Sequence, residues 1–202
     1  MKKLVWTIGI VIMSLGLPAF SATPPPTATA VFAGGCFWCM QADMDKVKGV
    51  IHTAAGYAGG TAKNPTYEQV SAGGTGYYES VKVEYNPTVI TYAELLNDFW
   101  HNIDPTDMQG QFCDKGAQYQ AVIFYEDPTQ KNAANQSKQQ LIASNRFSQV
   151  VTQILPSTTF YPAEEYHQEY YKKNPLRYKF YRYNCGRDKR LEQLWGKSTT
   201  SN

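Results

Sequence analysis

Apolar and polar positions group along this chain into short runs that predict interleaved strands and helices. Residues 30–33, Ala-Val-Phe-Ala, end in Gly34-Gly35, and residues 36–48 hold neither Gly nor Pro before Gly49. That order predicts a strand, a glycine turn and a helix with Cys36 on its first turn. Residues 50–57 and 78–85 are rich in β-branched and aromatic side chains with partial alternation, a strand pattern, and Gly59-Gly60 and Gly73-Gly74 punctuate the interval. Thr91, with Glu94 three residues on, makes a capping box. Leu95, Leu96, Phe99, Trp100 and Ile103 behind it form an amphipathic helix stopped by Asp104-Pro105. Residues 119–125 read as a strand. Asp127-Pro128 caps a polar helix to about residue 147, residues 150–155 read as a strand and residues 163–172 as a helix. With no regular strand-helix-strand spacing and no internal repeat, the pattern predicts an α+β fold, a single-domain two-layer sandwich whose mixed β-sheet is flanked by helices.

The N-terminus is organised differently. Lys2 and Lys3 precede an apolar run over residues 4–17, then Pro18 and Ala19-Phe20-Ser21, which reads as a secretory signal over residues 1–21 with cleavage after Ser21. The run is short for a membrane span, and after cleavage no membrane contact is expected. Residues 22–29, Ala-Thr-Pro-Pro-Pro-Thr-Ala-Thr, form an extended linker, so the folded domain is expected over residues 30–197. An exported, periplasmic or secreted chain meets an oxidising compartment, where its four Cys (36, 39, 113 and 185) can pair. Of 19 basic residues, two stand in the leader, which leaves 17 against 17 acidic. A neutral surface gives no field for nucleic acid or anionic lipid, and neither is expected as a partner.

Chemistry converges on Cys36. A thiol on the first turn of a helix meets free backbone N–H groups and the helix dipole, both of which favour the thiolate and so a nucleophile. Cys39 completes a C-x-x-C, the spacing that lets a second thiol face the first across one helical turn. A zinc site would need a second close ligand pair. Cys113 and Cys185 are far apart in sequence, and His52, His101 and His167 lack zinc-ligand spacing, so no metal is expected. His167 lies at a papain-like distance after Cys36, but Phe37-Trp38-Cys39 is not the papain flanking order.

The segment Gly35-Cys36-Phe37-Trp38 resembles the signature of the A-type peptide-methionine sulfoxide reductases. Further motifs agree in order: Ala54-Ala55-Gly56-Tyr57-Ala58-Gly59-Gly60, Asn64-Pro65-Thr66-Tyr67, Gly76-Tyr77-Tyr78-Glu79-Ser80-Val81, Phe99-Trp100 with Asp104-Pro105, Asp114-Lys115-Gly116-Ala117-Gln118-Tyr119, and Ala163-Glu164-Glu165-Tyr166-His167-Gln168 with Asn174-Pro175. The resemblance covers roughly residues 30–175. It implies an enzyme that reduces methionine S-sulfoxide, free or in proteins, without a metal or organic cofactor. Cys36 would attack the sulfoxide sulfur and become a sulfenic acid, and an intramolecular disulfide and a thioredoxin-like dithiol reductant would restore it. By the same resemblance Glu79 is the acid, Tyr67 and Tyr119 hydrogen-bond the sulfoxide oxygen, Asp114 helps hold the site, and Phe37 and Trp38 receive the substrate methyl group. A carboxyl shielded by aromatics would hold a proton near neutrality. His167 falls in a family segment and is expected to be structural or to line the site. Taken singly, Tyr67 and Tyr119 read as core tyrosines and Glu79 as a solvent-facing strand position.

The chain departs from the common family pattern in its other cysteines. Many members have Gly at the position of Cys39 and resolving cysteines in a glycine-rich tail. Here the tail around Cys185 is aromatic, expected to pack, and followed by a helix from Asp188 to Trp195. Cys39 is expected to resolve Cys36 first, with Cys185 as the rival; Cys113 either pairs with Cys185 structurally or relays oxidation. Two permanent disulfides in a binding module, or a thiol-disulfide oxidoreductase, are the competing readings. A monomer is expected.

Overall fold

A computed structural model describes residues 26–197 of the chain; the leader read from residues 1–21 lies outside them. Six strands form one mixed sheet: β1 (Ala28–Ala33), β2 (Val50–Ala58), β3 (Tyr78–Tyr85), β6 (Val122–Tyr125), β7 (Gln153–Pro156) and β8 (Tyr161–Pro162). Their order is β7-β6-β1-β3-β2-β8, with β6 and β7 parallel and the other pairs antiparallel. A separate two-residue hairpin joins β4 (Gly110–Gln111) and β5 (Asp114–Lys115). Residues 28 and 29, linker by composition, already pair with Tyr85 and Glu84.

Being central, β1 is buried on both faces over residues 30–33, which is why that part of its sequence is an unbroken apolar run. Ala30 and Phe32 point into the main core with Val81 and Val83, while Val31 and Ala33 join Val122 and Phe124 in a smaller cluster on the other face. Helices α1 (Phe37–Met44), α3 (Tyr92–His101) and α4 (Pro128–Ala143) all contribute to the main core, so one layer of helices covers one face of the sheet. The expected two-layer α+β sandwich is the observed fold.

Locally encoded features match the sequence closely. Thr91 and Glu94 form their reciprocal capping box, and Asp127 accepts the Gln130 amide at 2.8 Å with Pro128 opening the helix. Differences arise where tertiary contacts or single backbone conformations intervene. Helix α1 ends at Met44, and the carboxylate of the next residue, Asp45, accepts the Thr53 and Tyr171 hydroxyls, each at 2.6 Å. Helix α4 stops at Ala143, with Asn145 left-handed (φ 52°) shortly after. Ala117–Tyr119 is a 3₁₀ turn before β6, and the helix expected over residues 163–172 divides into a 3₁₀ turn, Glu165–His167, and α5 (Tyr170–Lys173) where Glu169 takes φ 49°.

The C-terminal segment folds as α6 (Pro175–Cys185) and α7 (Arg187–Trp195), joined at Gly186 with φ 70°. A Cys113–Cys185 disulfide ties that joint to the β4–β5 hairpin. The expected packing of this tail is half right: Tyr178 is buried, but Leu176, Phe180 and Tyr183 are 83%, 73% and 83% exposed on the outer face of α6.

Candidate active site

Gly34 and Gly35 make the sharp exit from β1. A Cβ on Gly34 would sit 2.6 Å from the Met40 sulfur, and Gly35 has φ +84° with a Cβ position 2.7 Å from Gln111 Cβ. Gln111 is itself locked by two 2.8 Å hydrogen bonds to the Asp104 backbone. The turn delivers Cys36 to the N-cap of α1, one residue before the first helical turn where the pattern placed it.

Glu79 comes from β3. It is buried, and its Oε2 accepts the Phe37 amide at 3.0 Å, so the carboxyl occupies the helix N-terminus beside Cys36. This overturns its solvent-facing reading. Burial pushes the Glu79 carboxyl up to about 8, with help from the charges of Asp114 and Cys39 and against the hydrogen bonds from Phe37 and Tyr119. At neutral pH it holds its proton.

The sequence reading that the helix terminus favours a Cys36 thiolate is corrected here. Burial, the hydrogen bond and charge of Cys39, and the charges of Glu79 and Asp114 hold the Cys36 thiol well above its usual range. The Phe37 amide at the helix terminus is taken by Glu79, and Cys36 itself makes no side-chain cap hydrogen bond. Cys39, also buried, is moved the other way, down to about 7, first by the hydrogen bond from Cys36 and then by Arg187 and Arg182, against burial and Asp43.

Aromatic rings wall the site. Phe37 stacks near Tyr67, with ring centres 6.4 Å apart, and Trp38 lies flat on Tyr170 at 3.9 Å. The Trp38 indole donates to His167 Nδ1 at 3.0 Å, which places the ring proton of a neutral imidazole on Nε2. Burial lowers the His167 basicity further, in keeping with a lining role. Burial, followed by the Glu79 charge, pushes Tyr67 up to about 12 and raises Tyr119 as well, so both hydroxyls are donors at neutral pH. Asp114, half-buried, accepts the Tyr181 hydroxyl at 2.6 Å. Cys36 therefore interacts through charge with Glu79, Asp114, Tyr67 and Tyr119, beside the rings of Phe37 and Trp38 that follow it in the chain.

A model of the peptide methionine sulfoxide reductase family matches residues 28–199. The chain belongs to this family. It is 46% identical over 196 residues to peptide methionine sulfoxide reductase MsrA 2 of Caulobacter vibrioides, covering 97% of this chain and 100% of that one. It is 52% identical over 169 residues to MsrA of Halalkalibacterium halodurans, covering 83% and 96%. Among solved structures it resembles reduced Mxr1 from Saccharomyces cerevisiae, with a TM-score of 0.70, 32% identity and coverage of 80% of this chain and 93% of that one. Mxr1 in complex with Trx2 is also similar, with a TM-score of 0.50, 25% identity and coverage of 78% and 94%.

For a peptide methionine sulfoxide reductase, the cysteine arrangement is informative. Cys36 and Cys39 are free thiols while Cys113 and Cys185 are bonded, unlike a binding module with two permanent bridges. Sulfur and oxygen atoms of Cys113, Asp114 and Cys185 lie within 4.8 Å of one another, but the disulfide takes both sulfurs out of the ligand set.

Three contributors escaped the sequence reading. Glu164 accepts the Tyr57 hydroxyl and the Tyr67 amide, each at 2.9 Å, and so sets the start of the short helix α2 (Tyr67–Ser71) that carries Tyr67. Tyr181 reaches Asp114 from α6 and also has Cys36 as a hydrogen-bond neighbour. Arg187 is buried under the Gly34 carbonyl. Only Glu164 stood inside a quoted motif; the tyrosines and arginines of the tail carried no local signal of their role.

Proposed function

We propose that the protein reduces methionine S-sulfoxide, free and in proteins, through a sulfenic acid on Cys36 that Cys39 resolves. The observation that carries this reading is the convergence of a proton-holding Glu79 and the Tyr67 and Tyr119 hydroxyls on the thiol of Cys36. Sulfoxide oxygen leaves sulfur only once protonated, and a neutral carboxyl beside two hydroxyl donors supplies that proton where charge develops. With Glu79 neutral, its opposition to negative charge on Cys36 is also relieved. Cys36 attacks the sulfoxide sulfur, the oxygen passes to Cys36 as S–OH, and methionine leaves two electrons richer. The methyl group rests against Phe37 and Trp38, which fixes the pose and hence the epimer.

Cys39 then displaces the hydroxyl as water and forms a Cys36–Cys39 disulfide, before further oxidation makes the lesion irreversible. A thioredoxin-like dithiol donor completes the cycle, a reading supported by the structural likeness to Mxr1 bound to Trx2. Cys113 and Cys185, tied to each other next to Asp114, serve the C-terminal segment structurally or carry oxidation outward. Export to an oxidising compartment is part of the proposal, supported by residues 1–21 and in keeping with that disulfide. The protein acts as a monomer.

The test is turnover of the separate S and R epimers of a methionine sulfoxide peptide with dithiothreitol. Methionine forms from the S epimer alone, and Cys36→Ser abolishes it. Equal use of both epimers, or activity in Cys36→Ser, overturns the reading.

A further inference from the structure

The two C-terminal helices bring a pair of guanidinium groups to the part of α1 that carries Cys39. Cys39 is buried in a small cluster with Ala42, Tyr170 and Tyr178. From α6, Arg182 donates to both carboxylate oxygens of Asp43 at 2.9 and 3.0 Å and to the Tyr178 hydroxyl at 2.9 Å. From α7, Arg187 donates to the Gly34 carbonyl at 3.2 Å, the Asn102 carbonyl at 2.6 Å and the Met40 sulfur at 3.2 Å. It is 1% exposed. Its Nε lies 3.6 Å from the same Asp43, without a hydrogen-bond partner. The other partner of Arg182, Asp188, has a side chain 66% exposed to water.

Two guanidinium groups thus flank one buried carboxylate. Arg182 also donates to both Asp188 oxygens at 2.6, 2.9 and 3.1 Å, so its charge is met, whereas Arg187 has only the 3.6 Å approach to Asp43. Buried charge is costly unless it is paired, so Arg187 is the guanidinium left short of an anion. We infer that Arg182 and Arg187 are positioning residues that hold Cys39 as the thiolate for the resolving step, the thiolate supplying the anion that Arg187 lacks. The inference rests on the reading that Cys39 resolves Cys36.

The groups that face Cys39 act in both directions. Hydrogen bonding from Cys36 and the charges of Arg187 and Arg182 favour its thiolate; burial and Asp43 oppose it, and the proton on Glu79 removes a further negative neighbour at neutral pH. Tyr178 is held protonated by burial and adds no charge to the cluster at neutral pH. In the step itself the Cys39 thiolate attacks the sulfur of Cys36 S–OH. The S–S bond forms, the S–O bond breaks, and hydroxide leaves to take up a proton as water.

The full chain with Cys36→Ser keeps a hydroxyl at that position and leaves Cys39 as the one free thiol among the described residues, so its titration can be followed by ultraviolet thiolate absorbance. Added to this background, Arg182→Gln raises the Cys39 titration by about one unit or more, the usual effect of losing a close opposite charge, and Arg182→Lys restores most of it. Asp43→Asn lowers it, an opposite sign that damage to the fold would not produce. With Cys36 intact, rapid quenching and alkylation after one turnover show the Cys36–Cys39 bridge in Arg182→Gln forming about tenfold more slowly relative to methionine release. A titration unmoved by Arg182→Gln, or moved the same way by Arg182→Gln and Asp43→Asn, overturns the inference. A wild-type turnover product joining Cys36 to Cys185 overturns instead the reading beneath it, and is seen without any variant.

Discussion

The Glu79 carboxyl accepts the Phe37 amide at 3.0 Å across 42 residues of sequence, so a buried side chain of β3 is fastened to the first residue of the helix that Cys36 caps. One hydrogen bond holds the carboxyl beside the thiol, and the two groups also interact through charge.

Glu79→Gln keeps a hydrogen-bond acceptor for Phe37 but has no acid proton. Methionine release in a single turnover is expected to slow by about two to four orders of magnitude, the range for general acid-base catalysis. In the wild type the same rate falls as pH rises through about 8, where Glu79 loses its proton. A loss of less than about tenfold in the variant would assign the proton to the tyrosines or to water.

Cys39 stands three residues from Cys36 on one helical turn, whereas Cys185 is already bonded to Cys113. Peptide mapping of the alkylated enzyme after one turnover without reductant should therefore find a Cys36–Cys39 bridge beside an intact Cys113–Cys185 bridge. A dominant Cys36–Cys185 bridge, with full recycling by a dithiol donor in Cys39→Ser, would make the C-terminal helices the moving part.

Glu164→Ala leaves the Tyr57 hydroxyl and the Tyr67 amide without their acceptor. The cost in denaturant unfolding is expected at about 1–3 kcal/mol, that of an unsatisfied buried donor. Tyr67 loses its anchor at the same time, so kcat/KM falls with stability. Although burial works against it, the hydrogen bonds from Tyr67 and Tyr57 hold the Glu164 carboxyl below its ordinary range, so its contribution is present above that range. It is lost as pH falls through the lowered value, a pH dependence that Glu164→Ala should lack.

Gly35→Ala forces a side chain onto φ +84° and against Gln111. Strain of this kind is expected to cost about 1–3 kcal/mol in chemical unfolding and to displace Cys36, so that activity falls in the variant even where it remains folded. Wild-type activity in a fully folded Gly35→Ala chain would show that the turn tolerates the shift.

The parts of this protein that its sequence determined alone are those whose partners lie within a few residues. Thr91 and Glu94, or Asp127 and Gln130, are three positions apart, and their hydrogen bonds form as written; the strand over residues 78–85 is bounded as its alternation implies because a period of two needs no distant partner to be read. The family motifs named Cys36, Glu79, Tyr67, Asp114 and Tyr119 together, because several independent signals in register are specific. What only the tertiary structure decided depends on contacts across long stretches of chain. Asp43 and Arg182 are 139 residues apart and Gly34 and Arg187 are 153 apart, so nothing near either residue announces the pairing. The ionisation of Cys36 followed the same division. Helix position predicted a thiolate, but burial raises the thiol first, followed by Cys39 on the same helix and then by the Glu79 and Asp114 charges, which come from β3 and β5. Local hydrogen bonds are written in local sequence, whereas desolvation and charge proximity belong to the packed interior and exist only once the chain has folded around them.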